Sequence, residues 1–133
     1  KQSEGDPFVK AQRRQRGHEI AMNQMLADVP KAAVVIVNPT HYAVALQWTP
    51  NGATAPICVA KGVDEVAARI REKANEAGVP IHSDPPTARA LYAAIKIGEE
   101  ITPEHYAPVA AAIRFAEAMR LKAMARGNWK REE

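Results

Sequence analysis

Two short apolar runs separated by only four residues constrain this chain more than any other feature of its sequence. Residues 33–37 (AVVIV) are continuous and rich in β-branched side chains, and residues 42–48 (YAVALQW) are mostly apolar on both faces. Such runs indicate buried strands, because β-branched side chains pack well on a pleated surface. We therefore expect the polar tetrapeptide between them, residues 38–41 (NPTH), to form a turn.

The sequence after this pair predicts two more strands with a helix between them. A third strand is expected over residues 57–60, ending at Gly62, and a fourth over residues 79–82. Apolar residues at helical spacing predict the helix over residues 63–77, and Gly78 follows in a position typical of a helix end.

Two further helices are predicted in the last third of the chain. Asp84 before Pro85 is typical of a helix start, and that helix is expected to continue to about Ile97. The start signal recurs at residues 102–104 (TPE), and an apolar face then continues down a long final helix that we expect to fray after about Ala125. The prediction is an α/β fold, a small mixed four-stranded sheet surrounded by about four helices, including a long N-terminal linker helix.

Composition divides the chain into three segments. Residues 1–28 are polar and are expected to form a solvated linker helix, residues 29–122 the α/β domain, and residues 123–133 a flexible tail. Because the chain begins with Lys1 and shows no signal peptide, we expect it to be a piece of something longer. The linker carries a cationic cluster that is either a solvated face or a contact with an anionic membrane surface; its members are Arg13, Arg14 and Arg16.

The overall composition excludes several classes of protein. The chain is 47% hydrophobic and 25% charged, which is ordinary for a globular domain. It contains no apolar run of the roughly 18–20 residues that a membrane helix needs. Its one cysteine, Cys58, rules out an internal disulfide and a zinc site with several thiolates, and a reducing compartment fits best. A net charge of +3 is too small to indicate nucleic-acid binding.

The usual catalytic and cofactor motifs are missing. The sequence has no glycine-rich phosphate loop, no zinc-protease helix and no nucleophile elbow. Its four histidines lack metal-ligand spacing, so we predict no metal and no cofactor; they are His18, His41, His82 and His105. An enzyme acting on another molecule therefore has little support.

One dipeptide, Asn38-Pro39, offers chemistry on the chain itself. Ordinary deamidation requires the next backbone nitrogen to attack the asparagine side chain, and proline has no N–H for this. The reverse attack stays open: the Asn38 amide nitrogen closes a succinimide on its own carbonyl carbon and expels the Pro39 nitrogen. Thr40 could bond to the turn backbone, and His41 could relay a proton or only support the turn. The competing interpretation is an ordinary turn.

These residues and several later motifs resemble the FlhB/YscU export-switch family, in particular its flagellar branch. The NPTH tetrapeptide is preceded by ADVPKA at residues 27–32 and followed by YAVAL at residues 42–46. Further matching runs extend the resemblance to about Leu121; they include AKGVDEVA at residues 60–67, GVPI at residues 78–81 and GEEI at residues 98–101.

The resemblance implies a membrane domain, absent here, joined by the linker to this domain at the cytoplasmic face of the bacterial inner membrane. It implies self-cleavage between Asn38 and Pro39, after which export switches from rod- and hook-type to filament-type substrates. The implied partners are other export-gate proteins, the hook-length control protein and early export substrates. By position, an apolar docking patch for those substrates would comprise Ala55, Pro56, Ala110 and Ile113. The alternatives are the equivalent injectisome switch and a non-cleaving basic binding module.

Overall fold

The computed structural model describes residues 6–52 and 54–132, with side chains up to residue 126. It has the predicted α/β architecture, with four helices, four strands and two short 3₁₀ turns at Val29–Lys31 and Pro103–His105. The helices are α1 (Pro7–Asp28), α2 (Asp64–Ala77), α3 (Pro85–Ala94) and α4 (Tyr106–Glu132), and the strands are β1 (Val34–Asn38), β2 (Tyr42–Gln47), β3 (Ile57–Val63) and β4 (Ile81–Ser83).

The four strands form one mixed sheet in the order β3-β2-β1-β4. Strand β1 pairs antiparallel with β2 and parallel with β4, and β2 pairs antiparallel with β3. Strand β1 is thus an inner strand with a neighbour on each side. The four residues from Val34 to Val37 are all buried, with at most 4% of any side chain exposed. An inner strand that is apolar on both faces needs helices above and below it.

Two apolar clusters fill the space between the sheet and its helices. Val34, Ile36 and Leu46 face one side and pack with residues of α3 and α4, such as Leu91 and Val109. Alternate residues of β1 and β2 face the other side and pack with α2 and with the end of α1, since successive strand side chains point to opposite faces; this second cluster includes Val35, Val37, Ala45, Ile70 and Leu26.

Helix α3 is shorter than predicted, because it ends at Ala94 instead of about Ile97. The chain leaves the helix at Ile95, whose backbone is extended, and then runs along the free edge of β3. There Cys58 exchanges backbone hydrogen bonds with this segment, receiving one from Gly98 N–H (2.7 Å) and donating one to the Glu99 carbonyl (3.0 Å). Pairing with an otherwise open strand edge replaces the last turn of helix.

Other boundaries differ from the prediction by a few residues. Strand β3 ends at Val63, one residue past Gly62, so that α2 begins at Asp64 instead of residue 63. Strand β4 begins only at Ile81, because Val79 N–H donates to the Ala74 carbonyl (2.8 Å) and completes the end of α2.

The two terminal helices are described over most of their predicted length. Helix α1 begins after Asp6, whose side chain accepts a hydrogen bond from Phe8 N–H (2.9 Å), while residues 1–5 of the predicted linker lie outside the described residues. The backbone of α4 is helical to Glu132, and the division into linker, α/β domain and flexible tail stays a prediction. Among the described residues, no helix is both long and apolar enough to cross a membrane.

Candidate functional site

The NPTH tetrapeptide forms the tight turn between β1 and β2. His41 N–H donates a hydrogen bond of 2.8 Å to the Asn38 carbonyl oxygen, and Asn38 lies opposite Tyr42 in the antiparallel ladder. Asn38 is half-buried, whereas Pro39, Thr40 and His41 are exposed. The four residues predicted to carry the chemistry are therefore brought together in one turn, at the surface end of two buried strands.

Backbone hydrogen bonds from two neighbouring segments hold this turn in place. Before it, the Val37 carbonyl accepts a hydrogen bond from Asp84 N–H (2.9 Å), at the end of β4. After it, the His41 carbonyl accepts one from Asp64 N–H (3.0 Å), at the start of α2. The turn thus has less freedom than an isolated hairpin loop, because both flanks bond to parts of the chain distant in sequence.

The geometry matches one requirement of asparagine cyclisation. In that reaction the Asn38 Nδ2 forms a bond with the Asn38 carbonyl carbon, and negative charge develops on the carbonyl oxygen. The His41 backbone N–H is already bonded to this oxygen, as a donor in an oxyanion hole would be. Collapse breaks the bond to Pro39, whose nitrogen takes up the proton lost by Nδ2. Water then opens the succinimide.

The side chains of Thr40 and His41 form fewer hydrogen bonds than the backbone of the turn does. The His41 Nδ1 lies 3.7 Å from the Asp64 Oδ1, longer than a hydrogen bond, and both side chains are mostly exposed. The Thr40 hydroxyl has no hydrogen-bond partner within residues 6–52 and 54–132, so the bond to the turn backbone that we considered is not formed. Sequence reasoning missed Asp64, although it lies within the AKGVDEVA run.

The four residues of the predicted docking patch lie together on another part of the surface. They line a groove of about 460 Å³ between α4 and the connection that leads into β3. Pro56 and Ile113 are buried and Ala55 and Ala110 half-buried, so the groove has an apolar floor. Its other walls include Trp48, Ile101, Tyr106 and Val109, together with Arg114 and Glu117 at its polar margin.

The other titratable residues considered in the sequence analysis do not form a second reactive site among the described residues. Burial raises the pKa of the Cys58 thiol from 9.0 to about 11, which keeps it protonated and unreactive near neutral pH. Buried His105 is paired with the Thr102 hydroxyl, 3.1 Å from its Nδ1. In the part of the chain that the structure describes, no three metal-ligating side chains come together. The three arginines of the linker cluster are all exposed on α1.

The family is shown by comparison with known proteins. The model of the FlhB HrpN YscU SpaS family matches residues 1–116. The chain is 48% identical over 128 residues to the flagellar biosynthetic protein FlhB of Escherichia coli, covering 96% of this chain and 34% of that protein. It is 46% identical over 115 residues to the FlhB of Aquifex aeolicus, covering 86% of this chain and 33% of that one. The chain belongs to this family, and spans about a third of the length of these curated relatives.

Solved structures agree in fold and in sequence. The cytoplasmic domain of FlhB from Shewanella putrefaciens matches with a TM-score of 0.73 and 39% identity, over 79% of this chain and 81% of that one. An EscU C-terminal domain with an asparagine-to-aspartate mutation matches with a TM-score of 0.65 and 33% identity, over 69% of this chain and 98% of that one.

Proposed function

We propose that this chain is the self-cleaving cytoplasmic domain of a flagellar type III export-apparatus protein at the inner membrane. In this proposal it cuts itself between Asn38 and Pro39, and the cut permits export to switch from rod- and hook-type to filament-type substrates. The chain acts as a catalyst on no other molecule. The flagellar assignment is supported by the curated relatives, which are named flagellar biosynthetic proteins, and by their higher identity, 48% against 33% for EscU.

The observation that carries the proposal is the hydrogen bond of 2.8 Å from His41 N–H to the Asn38 carbonyl oxygen. It places a donor on the atom where charge develops, and it does so in the ground state, so that little reorganisation is needed during the reaction. The exposed turn gives water access to the succinimide. No buried general base adjoins the turn among the described side chains, so solvent or His41 takes part in moving the proton, which is consistent with a slow single-turnover reaction.

The position of β1 supports the idea that both fragments stay together after the cut. Residues up to Asn38 would leave with one fragment, while β2, β3 and β4 belong to the other. Strand β1 would then be an inserted strand, paired on both edges and buried on both faces. Each such apolar side chain contributes about 1.5–3 kcal/mol through burial. Arg120 adds a contact across the two fragments, donating to the Ala33 carbonyl (2.9 Å).

Two further surfaces fit the partners that an export-switch domain requires. The apolar groove beside α4 would receive early, rod- and hook-type export substrates through Ala55, Pro56, Ala110 and Ile113. The exposed cationic cluster of α1 would face anionic lipid or the protein's own membrane domain, where each basic residue near the surface contributes about 1 kcal/mol. Other export-gate proteins and the hook-length control protein are the remaining expected partners.

The intact mass of the purified chain under denaturing conditions tests the proposal. We expect two species, residues 1–38 and 39–133, because the turn holds the reacting carbonyl against its donor. The Asn38→Ala variant is the matched control: it lacks the attacking nitrogen and should give one uncut, folded chain. A wild-type chain that remains a single 14.5 kDa species on prolonged incubation would contradict self-cleavage. Cutting of Asn38→Ala at the same bond would contradict cyclisation.

A further inference from the structure

The backbone of Asp64 adopts a conformation that few residues other than glycine adopt. Its φ is 48°, and within the described residues it is the one non-glycine residue with a positive φ. Aspartate and asparagine tolerate this left-handed region better than other side chains, whereas alanine is strained there. Such a conformation persists only where surrounding contacts impose it.

The strained residue lies at the corner where β3 becomes α2. Gly62, two residues earlier, packs so closely on the first turn of α2 that an added Cβ would overlap the side chain of Val66. The helix is thereby fixed to the end of β3, and the positive φ of Asp64 turns the chain from strand to helix.

Asp64, at this corner, contacts His41, the last residue of the NPTH turn, in two ways. Asp64 N–H donates to the His41 carbonyl (3.0 Å), and the Asp64 Oδ1 lies 3.7 Å from the His41 Nδ1. The N–H of the same residue, His41, donates to the Asn38 carbonyl (2.8 Å). A short series of backbone contacts therefore joins the strained residue to the carbonyl that would be attacked.

We propose that Asp64 is a positioning residue for cleavage at Asn38-Pro39, acting through its backbone on His41. This inference rests on the proposed self-cleavage and adds a residue to it. The left-handed conformation directs the Asp64 N–H to the His41 carbonyl, which holds the His41 N–H on the Asn38 carbonyl. The Asp64 side chain contributes less to this positioning, because the side chains of His41 and Asp64 are 66% and 77% exposed. An exposed pair of this kind changes a rate by a factor of about five or less.

Three substitutions of Asp64 separate the backbone effect from that of the side chain. Asp64→Ala penalises the left-handed conformation and should slow cleavage about tenfold. Asp64→Gly removes the same side chain but restores conformational freedom, and Asp64→Asn keeps both the tolerance and a polar side chain. Both should cleave within about fivefold of wild type. Glu65→Ala is the control, since Glu65 is exposed and pairs with Arg69 rather than with the turn.

A second measurement follows the turn independently of cleavage. In uncut chains carrying Asn38→Ala, hydrogen exchange of the His41 amide reports on its bond to the carbonyl of residue 38. Asp64→Ala should make this exchange about tenfold faster, while Asp64→Gly leaves it close to the Asn38→Ala parent.

The outcomes distinguish this inference from the proposed function. Wild-type rates in Asp64→Ala would overturn the positioning role while leaving self-cleavage intact, and so would equal slowing in Asp64→Ala and Asp64→Gly. Unchanged His41 exchange in Asp64→Ala would also overturn it, even in a variant too unstable for reliable rates. An uncut wild-type chain would overturn the proposed function itself.

Discussion

Two proline-containing turns in this chain have the same type of closing backbone hydrogen bond but differ in their surroundings. In the β1–β2 turn, His41 N–H donates to the Asn38 carbonyl (2.8 Å); in the longer β2–β3 connection, Gly52 N–H donates to the Thr49 carbonyl (2.9 Å). Each has proline as the second residue, and both turns are exposed apart from half-buried Asn38. The first turn alone closes directly between two paired strands, with Asp64 bonded to its last residue. The second leads away from the sheet to the wall of the apolar groove.

The difference suggests how one fold separates chemistry from recognition. The first turn has a position fixed by backbone hydrogen bonds, so its side chains can be exposed, and free for the proposed reaction, without supporting the core. The connection after the second turn differs in that Ala55 and Pro56 add apolar side chains to the groove, while the Pro56 carbonyl accepts a backbone hydrogen bond from Ile101 N–H (2.9 Å). Substitutions in the first turn should therefore change the rate of cleavage, and substitutions in the groove should change the binding of an export substrate.

The largest expected effect comes from placing the same dipeptide in the second turn. Thr49→Asn, made in the Asn38→Ala background, creates an asparagine before Pro50 with the turn hydrogen bond retained. We expect cleavage after residue 49 to be at least about 100-fold slower than wild-type cleavage after Asn38, because small displacements of reacting groups cost rates of this size. Intact mass over time measures both rates. Comparable rates would show that an Asn-Pro turn needs no further support.

The next effect concerns the thiol that lies beyond the second turn. Cys58 has a pKa of about 11, so at pH 8 its thiolate fraction, and hence its alkylation rate, should be about 100-fold below that of the unfolded chain. We expect equal protection in cleaved wild type and uncut Asn38→Ala, measured by mass after alkylation. Faster labelling of the cleaved chain would show that cutting the first turn loosens the sheet.

The same thiol gives stability a predictable pH dependence. Its folded-state pKa is raised, so that ionisation favours the unfolded chain, and stability should fall as the pH rises from about 9 to about 11. Below pH 9 this group has no effect on stability.

The smallest expected effect tests recognition by the groove. Ala110→Glu would bury a carboxylate beneath a docked substrate, and we expect binding of a purified hook-type export substrate to weaken about tenfold. Ala111→Glu is the matched control, because Ala111 is exposed on the same helix and lies outside the groove. Titration calorimetry measures binding, and both variants should cleave at the wild-type rate. Equal binding by the two variants would contradict docking in the groove.

Local sequence patterns predicted the helices and strands of this fold well, but not which of them pair with one another. The turn at residues 38–41 and the helix start at Asp84 follow from nearby residues, and Asp84 does accept hydrogen bonds from the Thr87 backbone (3.4 Å) and hydroxyl (2.6 Å). The parallel pairing of β1 with β4 joins residues more than forty positions apart, which no local pattern encodes. The early end of α3 has the same origin, since it depends on the open edge of β3.

The candidate site divides in the same way. The sequence was enough to propose a reaction for Asn38, Pro39 and His41, because that reaction depends on residues adjacent along the chain. Nothing in the sequence singled out Asp64, because an aspartate in the first turn of a helix is commonplace and only the folded backbone reveals its positive φ. The groove residues were grouped by family resemblance, not by spacing, since Ala55 and Ala110 are distant along the chain.

The inner position of β1 has a consequence for the chain once it is cut. While the chain is whole, β1 meets its partners at an effective concentration in the millimolar range, whatever the dilution. After a cut at Asn38, the same core is a complex of two molecules, and its reassembly depends on their actual concentration. A cut domain that unfolds in a dilute compartment loses its partner to diffusion. Self-cleavage would thus leave a structure that persists while assembled but does not readily re-form.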